Sequence, residues 1–282
     1  MTHNVWNNDN NSPEWEKNGE DCSARARVGG LTRIYKEKLP DVIGCQEMTA
    51  LMGDLIVEDC AQSGINYTLV WGRFTPVLYR SDKLDLVETT FFTYPDNIDG
   101  YDGVFNDIRS KSFTTVVFRE KGSGKHFVFT TTHLWWQRDA KTDEQAKIHG
   151  YQKHSDTARK IQLATALKRT VEFAQKYDCP AFLVGDLNAE FNSPAVQYAL
   201  SQGAKHAHDI ATDYADETMG YHWCYANRYD THYYDEPFEK AIDHILVYNS
   251  DKVQVKIFDR YSPDYYFPIS DHSPAFVDIE LK

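Results

Sequence analysis

Phe182-Leu183-Val184-Gly185 runs directly into Asp186-Leu187-Asn188. Behind Pro180, this short apolar run has the length and makeup of a buried strand, and it stops at a carboxylate and an amide. The same construction occurs twice upstream. Asp41-Val42-Ile43-Gly44-Cys45 leads to Gln46-Glu47, and Phe127-Val128-Phe129-Thr130-Thr131-Thr132 leads to His133. Further on the order inverts: Asp243-His244 precedes Ile245-Leu246-Val247-Tyr248, and Ser270-Asp271-His272 precedes Pro274-Ala275-Phe276-Val277. If the last two strands run antiparallel to the first three, all five polar ends share one edge. The pattern predicts a cluster of carboxylates, amides and imidazoles at one rim, assembled from distant segments.

Helical patterns separate these strands. Ser23 is placed to cap a helix towards Lys38, with Val28, Leu31, Ile34 and Tyr35 on one face; Gly29-Gly30 weakens it and Pro40 ends it. A second helix is expected near 50 to 62, closed by Gly64. Short strands follow between Tyr67 and Thr93. Ser112 to Glu120 and His126 to His133 read as a hairpin around Lys121-Gly122-Ser123-Gly124-Lys125. Ser155 or Asp156 opens a long helix to about Tyr177, with Ala158, Ile161, Ala164, Leu167, Val171 and Ala174 along one side. Pro194 starts a short helix to Leu200. The loop from Tyr94 to Arg109, dense in Asp, Asn and Gly, is too long for a mere connector. Neither repeats nor a linker interrupt residues 1–282, so one domain is expected.

Composition narrows the function. Thirty Lys plus Arg stand against 42 Asp plus Glu, a formal charge of −12 and a pI near 5.3. That balance repels polyphosphate at long range and disfavours long duplex DNA as a partner. No apolar run approaches the roughly 20 residues of a membrane span, so no integral membrane role is expected. Cys22, Cys45, Cys60, Cys179 and Cys224 show no C-x-x-C spacing and read as buried thiols. The N-terminus has no basic segment followed by an apolar one. Met1 stands only a few residues before the first expected strand, which suits a cytoplasmic chain or an exported one whose leader has been removed.

Taken as bare chemistry, Glu47, Asp186, Asn188, Asp243 and Asp271 offer the hard oxygen donors that Mg²⁺, Mn²⁺ or Ca²⁺ prefer. His133 and His272 can give or take a proton near neutral pH. Singly, each is weak: a carboxylate at a strand end is more often a turn former or cap. Together they suit hydrolysis of a phosphate ester, in which a cation offsets phosphoryl charge and a base activates water.

Gln46-Glu47 after P-D-V-I-G-C, Thr132-His133-Leu134, Gly185-Asp186-Leu187-Asn188, Ile242-Asp243-His244-Ile245 and Ser270-Asp271-His272-Ser273-Pro274 occur in an order and spacing that resembles the endonuclease/exonuclease/phosphatase superfamily, the DNase I-like fold. Asn4 in T-H-N-V-W resembles that family's first-strand Asn. The resemblance covers nearly the whole chain and implies an α/β fold, a four-layer α/β/β/α sandwich of two packed, largely antiparallel mixed sheets flanked by helices. It implies Glu47 as the principal Mg²⁺ ligand with Asn4 and Asp271 close by, and His272 as the base oriented by Asp243. Asp186 and Asn188 would position water and a phosphoryl oxygen, and His133 would donate to the phosphate.

The substrate is less legible, because this superfamily cuts nucleic acids, inositol phosphates, sphingomyelin and other small esters. A small phosphoester or a short single-stranded nucleic acid fits the acidic balance. The alternatives are a Mg²⁺-dependent nuclease and a non-catalytic binding module, which the intact polar set argues against. Trp135-Trp136 follows the His133 strand, and Trp135 is expected to stack a base or sugar as readily as to fill the core. Arg109, Lys111, Arg138 and Arg159 are the candidate phosphate contacts; for Arg109 and Lys111 a solvated surface position is the favoured reading, and Arg159, on the long helix, resembles a family position. His206-Ala207-His208-Asp209 reads first as an exposed loop and secondarily as another metal site. His222, His232 and the tyrosines at 225, 229, 233, 234, 265 and 266 are expected on loops above the site.

Overall fold

The structure, a computed structural model, describes residues 1–7, 9, 17, 19, 21–214, 241–261, 265 and 269–282, with backbone alone at 221–223 and 234–236. The principal elements are β1 (Thr2–Asn4), α1 (Ala24–Lys38), β2 (Val42–Gln46), α2 (Ala50–Gln62), β3 (Tyr67–Val70), β4 (Val77–Arg80), β5 (Leu84–Thr93), β6 (Ser112–Glu120), β7 (His126–His133), α3 (Ser155–Tyr177), β8 (Ala181–Asp186), α4 (Pro194–Ser201), β9 (Lys205–His206), β10 (Asp213–Tyr214), β11 (Asp243–Tyr248), β12 (Val253–Arg260) and β13 (Ala275–Leu281). They form a seven-stranded sheet in the order β10-β12-β13-β1-β2-β4-β3 and a six-stranded sheet in the order β9-β11-β8-β7-β6-β5. Both sheets are mixed: β1 runs parallel to β2, and β8 parallel to β7, while most other pairs are antiparallel.

Strand alternation builds the layers. Phe182, Val184, Ile245 and Val247 point between the sheets, where they meet Val42, Val77, Tyr79 and Phe129. Their neighbours Leu183 and Leu246 point outwards, under Leu163, Leu167, Val196 and Ala199 of α3 and α4. On the other outer face Leu31, Ile34 and Tyr35 of α1 and Met52 and Ile56 of α2 cover Ile43, Cys45 and Leu78. Two sheets with helices on both outer faces therefore bury three apolar layers. Opposite the polar rim, where these strands begin, lies a cavity of about 580 Å³ lined partly by Phe127, Phe129, Phe182 and Phe276.

The helix signals operate as read. The Ser23, Thr49 and Ser193 side chains accept from Ala26, Met52 and Val196, satisfying amides that a helix start leaves open. Gly30 does not interrupt α1, because a Cβ there would meet Ile269 at 2.3 Å: the position is reserved for close packing. The face of α3 differs from the expected stripe. Ile161 is exposed, while Arg159, Gln162, Leu163, Ala166, Thr170 and Phe173 are buried. Polar side chains take the inward positions because they tie loops: Gln162 donates to the Phe105 carbonyl and accepts from the Trp135 amide. Among the described residues no helix is long and apolar enough to cross a membrane.

Candidate active site

Register brings the strand ends together. Asp186 pairs with His133 on one side and Asp243 on the other, and Asn4 pairs with Gln46 in the facing sheet. Gly185 permits the first approach: at φ +146 it sits where a Cβ would lie 1.9 Å from the Thr132 carbonyl oxygen. Gln46 then clamps the sheets, its amide donating 2.8 Å to Thr131 Oγ1. Past it, Glu47 turns through a left-handed backbone, φ 58, which directs the chain across the rim.

Asn4 Nδ2 donates 3.1 Å to Asp186 Oδ2 and 3.3 Å to Glu47 Oε1, and the Asn7 amide donates 3.0 Å to the other Glu47 oxygen. His272 Nδ1 meets Asp243 Oδ2 at 2.8 Å, with its Nε2 3.7 Å from Asp186 Oδ2. His133 Nε2 lies 3.4 Å from Asp186 Oδ2 and 3.9 Å from Glu47 Oε1. Asn188, at φ 47, donates its amide to Asp186 Oδ1 and its side chain to the Leu134 carbonyl. Asp271 and His272 are carried into place by Ser270, whose Oγ donates to the Asn4 carbonyl and accepts from the His272 amide. Arg27 fixes the same junction from below, its guanidinium donating to the carbonyls of Val5, Trp6 and Ile269.

The electrostatics follow from crowding carboxylates in a dry place. Burial pushes Asp186 up to about 7, Asp243 adding to it. Burial also raises Asp271 to about 6, with a contribution from the Glu47 charge. Burial alone would lower His272, but Asp243 and Asp186 hold its pKa well above the ordinary imidazole value. His133 goes the other way: burial, then the Lys111 charge, keeps it neutral.

Ligand atoms converge within 4.8 Å in two sets, Glu47 with His133 and Asp186, and Asp186 with Asp243 and His272. Asp271 belongs to neither, yet its Oδ1 is buried with no hydrogen-bond partner among the described residues. An orphaned carboxylate oxygen beside Glu47, in a set without thiols, fits a hard divalent cation.

Other expected positions are corrected by their surroundings. Trp135 is 3% exposed, packed with Phe105 and Ala158, so it cannot stack a base; Trp136 is the half-open ring of the pair. Arg159 is buried too, its guanidinium spent on the carbonyls of Trp135 and Gln137 and on Asp156, which makes it a brace for the loop after His133. Arg138 is exposed, its guanidinium near the Tyr151 ring. His206 is no exposed loop residue: its Nε2 contacts His244 Nδ1 at 3.0 Å and its Nδ1 accepts from the His208 amide. With both ring nitrogens engaged, no metal cluster forms there among the described residues. Tyr265 hydrogen-bonds Glu37 against α1, away from the rim. His222, His232 and the tyrosines at 225, 229, 233, 234 and 266 lie outside the described side chains.

Lys111, a candidate phosphate contact for which a surface position is the favoured reading, is the residue whose placement differs most from expectation. Rather than lying at the surface, it is 4% exposed, and its Nζ donates 2.7 Å to His133 Nε2. The available signal is its position just before Ser112, which pairs with His133 in the hairpin.

The family model described as Endonuclease/Exonuclease/phosphatase family matches residues 1–272. Among solved structures, an endonuclease/exonuclease/phosphatase from Bacteroides vulgatus aligns over 100% of this chain and 97% of its own, at 20% identity and a TM-score of 0.71. A mannosyl-6-phosphatase of Bacteroides thetaiotaomicron aligns over 99% and 98%, at 19% identity and 0.69. TDP2 of D. rerio, complexed with single-strand DNA product, aligns over 99% and 97%, at 16% identity and 0.64. At these identities the likeness establishes the fold. Among curated protein sequences none matches the chain.

Proposed function

Since the chain belongs to the endonuclease/exonuclease/phosphatase family, whose members are hydrolases acting on phosphate esters, we propose that it hydrolyses a small or single-stranded phosphate ester with the help of a divalent metal ion. The observation that carries this reading is the pair His272 Nδ1 and Asp243 Oδ2 at 2.8 Å, with the other ring nitrogen 3.7 Å from Asp186 Oδ2. Glu47, Asp271 and Asn4 would hold the cation, Mg²⁺ by its preference for oxygen, with Mn²⁺ or Ca²⁺ as substitutes. When bound, it would offset the negative charge gathering on the phosphoryl oxygens and the leaving oxygen.

The chain's own groups supply the rest. Asp186 and Asn188 orient a water molecule against phosphorus. His272 Nε2 takes the proton of that water as its oxygen bonds to phosphorus and the ester P–O bond breaks. Asp243 fixes the tautomer and stabilises the imidazolium that results. Neutral His133 and its neighbour Lys111 face the phosphoryl oxygens.

The acidic balance, 30 basic against 42 acidic side chains, favours small esters over duplex DNA. A panel of phosphoesters, assayed with Mg²⁺, Mn²⁺ and Ca²⁺ for wild type and His272→Ala, tests the reading. Metal-dependent turnover that falls about a thousandfold in the variant is expected. Equal rates for the two proteins would overturn the assignment of the base. Release of acid-soluble nucleotides from an oligonucleotide, abolished by EDTA, would move the substrate towards the nuclease alternative.

A further inference from the structure

Lys111 is a buried cation without a counter-ion. Among the described residues no carboxylate oxygen stands within 4.0 Å of its Nζ, and its side-chain hydrogen-bonding contacts are the two ring nitrogens of His133, at 2.7 and 3.4 Å. Its backbone is immobilised: the amide donates to Asn106 Oδ1, and the Asn106 side chain returns a bond to the Lys111 carbonyl. An ammonium group is costly to bury unless an anion meets it. Glu47, Asp186 and Asp107 influence it only from a distance, and burial lowers its pKa despite them. An anion delivered by the substrate would balance this charge.

The position of the anion is constrained. His133 Nε2, to which Nζ is tethered, also faces Asp186 and Glu47, so Lys111 borders the same point at which the phosphoryl group would meet the water and the cation. A phosphomonoester brings a dianionic terminal phosphoryl group, whereas a diester brings one charge and a second carbon-bearing oxygen. A fixed, buried ammonium beside His133 favours the dianion and receives an unesterified oxygen.

We propose that Lys111 binds a non-bridging phosphoryl oxygen and selects phosphomonoesters over diesters. The proposal rests on the phosphoester hydrolysis argued above and names its substrate class. On substrate arrival the ammonium donates to the phosphoryl oxygen, leaving His133 Nε2 free of it. Lys111 is thus a substrate-touching residue, and His133 is its positioning partner.

The test compares 4-nitrophenyl phosphate with bis(4-nitrophenyl) phosphate, which share a leaving group and differ in charge. With Mg²⁺, Lys111→Met should lose about a hundredfold in kcat/KM on the monoester and about tenfold or less on the diester. Lys111→Arg should recover part of the monoester rate. Equal losses on both esters, or a monoester rate within about threefold of wild type, would overturn the role of Lys111. A second measurement does not depend on a folded variant: inorganic phosphate should inhibit the wild type at least about tenfold more strongly than dimethyl phosphate, and equal inhibition counts against the proposal. If the wild type turns over neither ester with any of the three metals, the hydrolase reading falls together with this one. Turnover with an unchanged monoester-to-diester ratio in Lys111→Met removes this one alone.

Discussion

The two sheets bring unlike halves to one rim. From the seven-stranded sheet come Asn4 and Glu47, and from the turn before its strand β13 comes Asp271; the Glu47 side chain is still 30% exposed. From the six-stranded sheet come His133, Asp186 and Asp243, whose side chains are each 2% exposed. An exchangeable cation suits the wetter half, which Glu47 opens to solvent although Asn4 and the Asp271 Oδ1 are buried. Proton handling suits the dry half, where neighbouring charges move pKa values furthest. His272 joins them, carried by the first sheet and bonded to the second through Asp243.

Asp186→Asn strains the comparison most. Activity should fall about 10²- to 10³-fold, because the dry half loses the group that holds the water. Stability should move the opposite way. The folded carboxyl titrates near 7, above its unfolded value, so wild type loses stability as pH rises from about 4 to about 7. The melting-temperature advantage of Asp186→Asn, measured in EDTA, should therefore grow across that window; a constant difference would contradict the burial argument.

Asp243→Asn comes next, with a loss of about a hundredfold. With His272 as the proposed base, activity would require it neutral, so kcat/KM should rise with pH through a midpoint above the ordinary imidazole value, and removing the Asp243 charge should shift that rise to lower pH. A reduced rate with an unmoved midpoint would leave Asp243 a merely structural role. In the wet half, Glu47→Gln should raise the Mg²⁺ concentration for half-maximal rate by at least about tenfold, with much of the rate returning at saturation. If added metal restores nothing, the division between halves is wrong. The smallest effect falls outside both halves: Trp136→Ala should change kcat/KM by about threefold or less, whereas Trp135→Ala should cost about 3–5 kcal/mol of stability by emptying the space beside Phe105. Denaturant unfolding and steady-state rates separate the two.

Much of this arrangement is legible in the sequence. Caps such as Ser23 and Pro194 act through their own backbone neighbours, and the alternation of Phe182, Leu183 and Val184 carries the layer assignment within a few residues. Antiparallel placement of the later strands follows from where their polar ends fall, which is why Asp186 and Asp243 meet. What escaped was decided by long-range pairing. Lys111 is written like any surface lysine and is internal only because its hairpin neighbour ends at His133. Arg159 and Gln162 occupy the inner face of a helix whose hydrophobic pattern points elsewhere, since loop carbonyls and amides meet them there. Trp135 and Trp136 are identical letters in succession, and only packing separates the core ring from the half-open one.

The claim that a wet metal half and a dry proton half act on one phosphoryl group is met most directly by a paired rate and binding measurement. Wild-type hydrolysis of 4-nitrophenyl phosphate should fall to background in EDTA and return with Mg²⁺. His272→Ala should stay at least about a thousandfold slower in saturating Mg²⁺ while binding the ion, read by thermal shift, as the wild type does. Turnover that survives EDTA, or a His272→Ala rate equal to wild type, would contradict the account.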